Sequence, residues 1–116
     1  MKIIHISILI IVIGFLSCKS DPSADVEKIS AKGDQGINVI IEIPAGTNHK
    51  IEINKETGKF ENDQLNGKDR VIDFLPYPGN YGFIPNTMMD KALGGDGDPL
   101  DVLVISESLP TGTQIQ

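Results

Sequence analysis

The sequence contains a single cysteine, Cys18, among its 116 residues. One cysteine cannot form a disulfide within the chain, so packing alone must hold the folded part together. Positive charge is also scarce, with 10 lysine and arginine residues against 16 aspartate and glutamate residues. Nucleic acids and anionic membrane surfaces need a basic surface on their partners, and this composition argues against both. Internal repeats are absent from the sequence, and its length favours one modest domain.

Long apolar runs are confined to the N-terminus. A short basic start precedes residues 3–16, which are almost entirely apolar, and a polar stretch follows at once. The run is shorter than the ~20 residues that a membrane-spanning helix needs. We therefore predict a secretory signal peptide over residues 1–17.

The cysteine directly follows this signal. Ser17 before Cys18 resembles a bacterial lipobox, in which cleavage precedes lipidation of the cysteine. Cleavage without lipid, or an uncleaved anchor, are the alternatives. Residues 18–36 are predicted to be the lipidated cysteine and a flexible tether, with the folded domain at 37–116. The protein is then an exported lipoprotein, facing the periplasm or the outside, that meets the membrane only through its lipid.

Three carboxylates are concentrated in residues 95–101, at Asp96, Asp98 and Asp101. Their mutual repulsion would be relieved by bound divalent cations. Histidine and cysteine are missing nearby, so the donors suit Mg²⁺, Mn²⁺ or Ca²⁺ rather than zinc, and Mg²⁺ best. An EF-hand is excluded, because Leu100 and Asp101 stand where its loop needs a ligand and a glycine. The alternative is a solvated turn entering a strand.

The remaining pattern is typical of short β-strands. Residues 37–43 are rich in β-branched side chains, and residues 50–54 alternate so that Lys50 and Glu52 share a face. That face is either functional or merely solvated. A further strand is predicted near residues 59–60, and residues 102–105 are predicted as a strand buried on both faces.

The two tyrosines of the chain, Tyr77 and Tyr81, lie in a segment whose prolines and glycines forbid a helix. We predict that both are held on a constrained loop, where the alternative role for Tyr77 is simple aromatic packing.

Several separate motifs then point to one family. They are residues 41–44, residues 50–53, Arg70, residues 77–84 and residues 96–102. In order and approximate spacing they resemble a family I soluble inorganic pyrophosphatase, over roughly residues 37–116. This corresponds to the N-terminal half of such an enzyme.

The resemblance implies hydrolysis of pyrophosphate to two phosphates by a water that several Mg²⁺ ions activate, with Mn²⁺ as a possible substitute. Asp96 and Asp101 are then metal ligands and Asp98 is the base beside the attacking water. Phosphate is bound by Lys50, Arg70 and Tyr81. The positions of Glu42 and Glu52 match outer carboxylates, and Tyr77 falls in the site region.

The resemblance further implies a mainly β fold of the α+β family, a small five-stranded OB-type barrel with flanking helices, and a homo-oligomer, a hexamer in bacteria. Family members are ordinarily cytoplasmic, unlike this chain. The family's downstream aspartates, lysine and Tyr-Lys pair have no match here, so we expect a fragment with an incomplete barrel. The alternatives are a membrane-tethered module that binds divalent cations or phosphate without catalysis, and a structural or saccharide-binding barrel.

Overall fold

The structure is a computed structural model that describes residues 26–116. The predicted signal peptide, residues 1–17, and the lipidation site Cys18 lie outside this range. Within it, no helix combines the length and the apolar character that crossing a membrane requires. Val26, which the sequence places in the tether, is buried against Ile40 and Phe83. The folded core therefore includes residues that precede the predicted domain start.

Eight short strands account for most of the regular structure. They are β1 (Val39–Ile43), β2 (Ile51–Ile53), β3 (Phe60–Asn62), β4 (Gln64–Leu65), β5 (Lys68–Asp69), β6 (Asn80–Ile84), β7 (Leu100–Val104) and β8 (Gln114–Ile115). Single 3₁₀ turns stand at Val26–Lys28 and Lys91–Leu93. The main sheet has the antiparallel order β7-β6-β1-β8, and β2-β3 and β4-β5 form two hairpins. The predicted mainly β fold is confirmed, although the described strands do not close a barrel.

The central strand is β1, in which all five residues are buried. Its neighbour β6 approaches so closely that a Cβ on Gly82 would lie 1.9 Å from the carbonyl oxygen of Ile40. The pairing of these strands shifts between Ile41 and Ile43, so Glu42 is the extra residue of a β-bulge. Bulges redirect a side chain and are frequent beside active sites.

The strand predicted at residues 102–105 is not buried on both faces, as the sequence analysis expected. Val102 and Val104 pack against the core around Ile41, but Leu103 is 46 % and Ile105 is 77 % exposed. The reason is the strand order, which makes β7 an edge strand with one covered face among the described residues. An apolar run cannot by itself distinguish an edge strand from a central one.

A buried amide fixes one end of the main sheet. Asn80 Oδ1 accepts hydrogen bonds from the backbone N–H groups of Ala45 (3.0 Å) and Leu109 (2.8 Å). Its Nδ2 donates to Ser106 Oγ (3.0 Å) and to the carbonyl of Glu107 (2.8 Å). The amide is thereby fully satisfied, as a buried polar group must be. It joins the turn after β1 to the loop after β7, and so supports Tyr81 beside it.

Candidate active site

Three residues from separate segments are held side by side by their backbones. Lys50 N–H donates to the carbonyl of Arg70 (2.9 Å), Asp63 N–H to that of Lys50 (2.8 Å), and Arg70 N–H to that of Asp63 (2.7 Å). The structure therefore places the two predicted phosphate-binding cations together, although they are far apart in sequence. Their separation along the chain hides this pairing from any local pattern.

The side chains of this group interact as well. Arg70 Nη1 lies 3.1 Å from Asp63 Oδ2, and Lys50 Nζ lies 3.9 Å from the same oxygen. Lys50 Nζ also contacts Glu52 Oε1, which the alternation of β2 places on the same face. Two cations and two carboxylates thus form one partly shielded cluster. The sequence indicated Lys50, Glu52 and Arg70, but gave no sign of Asp63.

Glu42 connects the central strand to this cluster. Its side chain, redirected by the bulge, accepts a hydrogen bond from the backbone N–H of Ile53 (3.0 Å). The pKa of Glu42 is raised to about 7, chiefly by burial and also by the negative charges of Asp101 and Asp98. The Ile53 hydrogen bond and the charge of Lys50 oppose this rise. A carboxyl with this pKa exchanges its proton near neutral pH.

The two tyrosines lie together beside the same carboxylates. Their ring centroids are 5.5 Å apart with an interplanar angle of 52°. Tyr81 belongs to β6 rather than to the predicted loop, and the strand register sets it diagonally across from Asp101 of β7. Burial and a hydrogen bond to Asp101 raise the pKa of Tyr81. The hydroxyl therefore stays protonated and can donate.

Tyr77 stands on the loop before β6. Burial raises the pKa of Tyr77, the charge of Arg70 lowers it, and the charges of Glu42 and Asp101 raise it. These influences show that Tyr77 lies among the charged groups of both clusters. Tyr77 therefore combines a ring contact with Tyr81 and a position near Arg70, Glu42 and Asp101.

The acidic loop forms the other side of the site. Asp96 Oδ1 accepts a hydrogen bond from the backbone N–H of Asp98 (2.9 Å), and Met89 N–H donates to the carbonyl of Asp98 (2.8 Å). Gly97 adopts a φ of 88°, which glycine accepts without strain. These contacts fold the loop into a tight turn that presents its carboxylates to solvent.

A lysine from the β2-β3 turn reaches this loop. Lys55 Nζ lies 2.6 Å from Asp98 Oδ1, although the two residues are 43 positions apart. The hydrogen bond to Lys55 lowers the pKa of Asp98. Lys55 is not recognisable from the sequence as a site residue, because a local turn pattern does not indicate a partner so distant along the chain.

The donor chemistry of the acidic side fits a hard divalent cation. Asp96, Asp98 and Asp101 offer carboxylate oxygens, and Asp98 already pairs with a cationic group. Within residues 26–116, however, no three histidine, cysteine, aspartate or glutamate side chains form a group that could hold a metal ion. Mg²⁺ commonly binds through one or two carboxylates and keeps water or substrate oxygens as its other ligands. The residues present therefore fit Mg²⁺ without forming a complete cage.

Comparison with known proteins gives matches to one family. A model of the inorganic pyrophosphatase family matches residues 39–116. An inorganic pyrophosphatase from a Synechocystis species is 43 % identical over 84 residues, covering 72 % of this chain and 44 % of that protein. One from Neisseria meningitidis is 41 % identical over 97 residues, covering 80 % and 49 %.

Solved structures give the same result. The inorganic pyrophosphatase of Thermus thermophilus superimposes with a TM-score of 0.63 at 31 % identity, covering 79 % of this chain and 49 % of that one. The Neisseria gonorrhoeae protein gives a TM-score of 0.59 at 40 % identity, covering 78 % and 49 %. The chain spans about half the length of the relatives that it matches.

Proposed function

Because the chain belongs to the inorganic pyrophosphatase family, we propose that the protein hydrolyses inorganic pyrophosphate to two phosphates. The observation that carries this proposal is the backbone-locked pair of Lys50 and Arg70, placed near the carboxylates of the acidic side. Pyrophosphate is a multiply charged anion, and attack by water is unfavourable until cations neutralise that charge. A cationic surface beside a carboxylate base meets both requirements.

Phosphate binding and proton transfer are assigned to different residues of the chain. Lys50 supplies a point charge and Arg70 a planar fork, so together they bind and orient phosphate oxygens. The protonated Tyr81 hydroxyl donates a hydrogen bond to the substrate when it leaves Asp101. Asp98 accepts the proton of the attacking water. For this step the ion pair between Lys55 and Asp98 must first break.

Two further carboxylates act indirectly in this proposal. Glu52 orients Lys50, which it contacts, and Glu42 acts on Lys50 through its charge. Tyr77 shields the site from solvent. Neither carboxylate needs to touch the substrate for this role.

Family I pyrophosphatases use divalent metal ions. We propose Mg²⁺ here, with Mn²⁺ as a substitute, held by Asp96 and Asp101. When bound, the ion neutralises substrate charge and lowers the pKa of the attacking water. The supporting observation is the all-oxygen donor set of the acidic loop.

The proposal is tested by phosphate release from pyrophosphate with the full-length protein. We expect release that requires Mg²⁺ and stops when a chelator is added in excess. Asp34→Asn removes an exposed carboxylate far along the chain from the acidic loop. It is the matched control for Asp98→Asn and should release phosphate at the wild-type rate. Phosphate binding without any release would instead favour the non-catalytic binding module.

We also propose that the protein is exported and anchored by a lipid on Cys18, with residues 1–17 removed and the domain reached through a tether. The apolar run before the cysteine supports this. Wild-type protein should partition into the detergent phase and Cys18→Ala into the aqueous phase. A Cys18→Ala protein that stays in the detergent phase would contradict the anchor.

By resemblance to the family we propose a homo-oligomer, a hexamer in bacteria. Light scattering on the full-length protein gives its mass directly. A monomer at working concentration would overturn this assignment.

A further inference from the structure

We propose that Asp63 is a positioning residue that acts as a built-in competitor for phosphate at Lys50 and Arg70. In the substrate-free protein its carboxylate stands where a phosphate oxygen would be bound, and it thereby limits how tightly the product is held. This inference rests on the proposed function, because it assumes that the two cations bind phosphate.

The geometry distinguishes Asp63 from an ordinary surface partner. An exposed ion pair is weak partly because two long side chains must lose their freedom to form it. Here three backbone hydrogen bonds of 2.7 to 2.9 Å already fix Lys50, Asp63 and Arg70 beside one another. The Asp63 side chain is only 26 % exposed and the Lys50 side chain 24 %. The carboxylate is therefore held against its partners by the chain itself.

The charges around the pair define what the carboxylate does. Lys50 contacts two carboxylates, those of Glu52 and Asp63. Arg70, among the described residues, forms its salt bridge with Asp63. The guanidinium Nη1 that would serve a phosphate is thus directed at Asp63 Oδ2. An incoming phosphate must displace this carboxylate, because both groups need the same donors. When the product leaves, Asp63 can take its place again.

A neighbouring aspartate provides a matched control. Asp69 lies in the same hairpin region and accepts hydrogen bonds from Asn62 Nδ2 (2.7 Å) and Gln64 Nε2 (2.6 Å). Asp69→Asn removes the same charge as Asp63→Asn, but from a carboxylate whose hydrogen bonds are to amides. A general effect of net charge would change both variants equally.

The test measures the binding of inorganic phosphate to the full-length protein by calorimetry, with Mg²⁺ present, and kcat and KM separately. We expect Asp63→Asn to tighten phosphate binding by about two- to fivefold, because a competing carboxylate is removed from partly shielded donors. KM should fall with it, and kcat should fall because product leaves more slowly. Asp69→Asn and the charge-conserving Asp63→Glu should resemble wild type.

The outcomes separate the two claims. If wild type hydrolyses pyrophosphate but Asp63→Asn binds phosphate no more tightly than Asp69→Asn, this inference is wrong and the proposed function stands. If wild type releases no phosphate from pyrophosphate, the proposed function itself fails.

If Asp63→Asn does not fold, a second measurement on the wild-type protein tests the inference instead. In ¹⁵N,¹³C-labelled wild type, the Arg70 guanidinium resonance, assigned with Arg70→Lys, reports phosphate binding. The side-chain carboxyl resonance of Asp63, assigned with Asp63→Glu, reports its displacement, and we expect both to move as phosphate is added. An Asp63 resonance that stays in place while the Arg70 resonance moves would overturn the inference and leave the proposed function standing.

Discussion

The two sides of the site are built in different ways. The cationic side stands at the ends of short strands: Lys50 directly precedes β2, Asp63 joins β3 to β4, and Arg70 directly follows β5. Backbone hydrogen bonds link these three residues. The acidic side stands on a loop, where the Asp98 side chain is 58 % exposed and its ion pair is with the 70 % exposed Lys55. Preorganised groups lose little freedom when substrate binds, whereas exposed ones must still be ordered. The comparison indicates a cationic side whose backbone is fixed before any ligand binds and an acidic side whose exposed side chains must still be ordered.

The largest effect should come from the close contact between β1 and β6 in the main sheet, compared with a glycine of the acidic loop region. A Cβ at position 82 would meet the backbone of Ile40 at 1.9 Å, whereas one at Gly94 would meet open space at a φ of 89°. We expect Gly82→Ala to lower the free energy of unfolding by about 3 kcal/mol or more, and Gly94→Ala by about 1 kcal/mol. Urea unfolding compares them. Equal losses would show that the close approach of β1 and β6 constrains the main sheet no more than the loop at Gly94 is constrained.

The next effect is a dependence of stability on pH that Glu42 imposes. Its pKa is about 7 in the folded protein against an ordinary 4.5, so the folded state holds the proton more tightly. Stability should therefore be greatest below pH 4.5, fall as pH rises towards 7, and stay level above it. By linkage, the loss attributable to Glu42 is about 3 kcal/mol.

Glu42→Gln keeps an acceptor for Ile53 but cannot ionise, so this decline should vanish. Glu56→Gln removes an exposed carboxylate from the β2-β3 turn and should retain the wild-type decline. Urea unfolding across pH 4.5 to 7, with chelator present, is the measurement. A decline that survives in Glu42→Gln would assign it to other groups.

The smallest effect should come from the loop-borne side. Lys55 lowers the pKa of Asp98, so this pair stabilises the fold above the ordinary carboxyl pKa, and the contribution disappears as pH falls through the folded-state value. Both partners are exposed, so Lys55→Gln should cost less than about 1 kcal/mol at pH 7 and nothing near pH 2. Unfolding curves with chelator at both pH values measure this. A larger cost at pH 7 would mean that the acidic loop is more rigidly held than its exposure indicates.

Local sequence patterns correctly predicted part of the fold and of the candidate site. The β-branched residues of β1 and the alternation that puts Lys50 and Glu52 on one face both follow from residues close together in the chain, and the structure agrees with each. The motif spacing also led to the family that the comparisons show.

The rest depends on contacts between distant segments. The pairing of Asp63 with Lys50 and Arg70 arises from backbone hydrogen bonds between separate segments, and that of Lys55 with Asp98 from the approach of a turn to a distant loop. The edge position of β7, which exposes Leu103 where the apolar run predicted burial, arises from the strand order. Register and strand order are tertiary properties, and short-range periodicity does not determine them.

We propose that Asp98 accepts the proton of the attacking water, and that Lys50 and Arg70 bind phosphate independently of Asp98. Phosphorus NMR on the full-length protein with Mg²⁺ can follow both, through the conversion of pyrophosphate and the line width of added phosphate. We expect Asp98→Asn to lower kcat by about 100-fold or more while phosphate still binds. Conversion by Asp98→Asn at the wild-type rate would contradict the account.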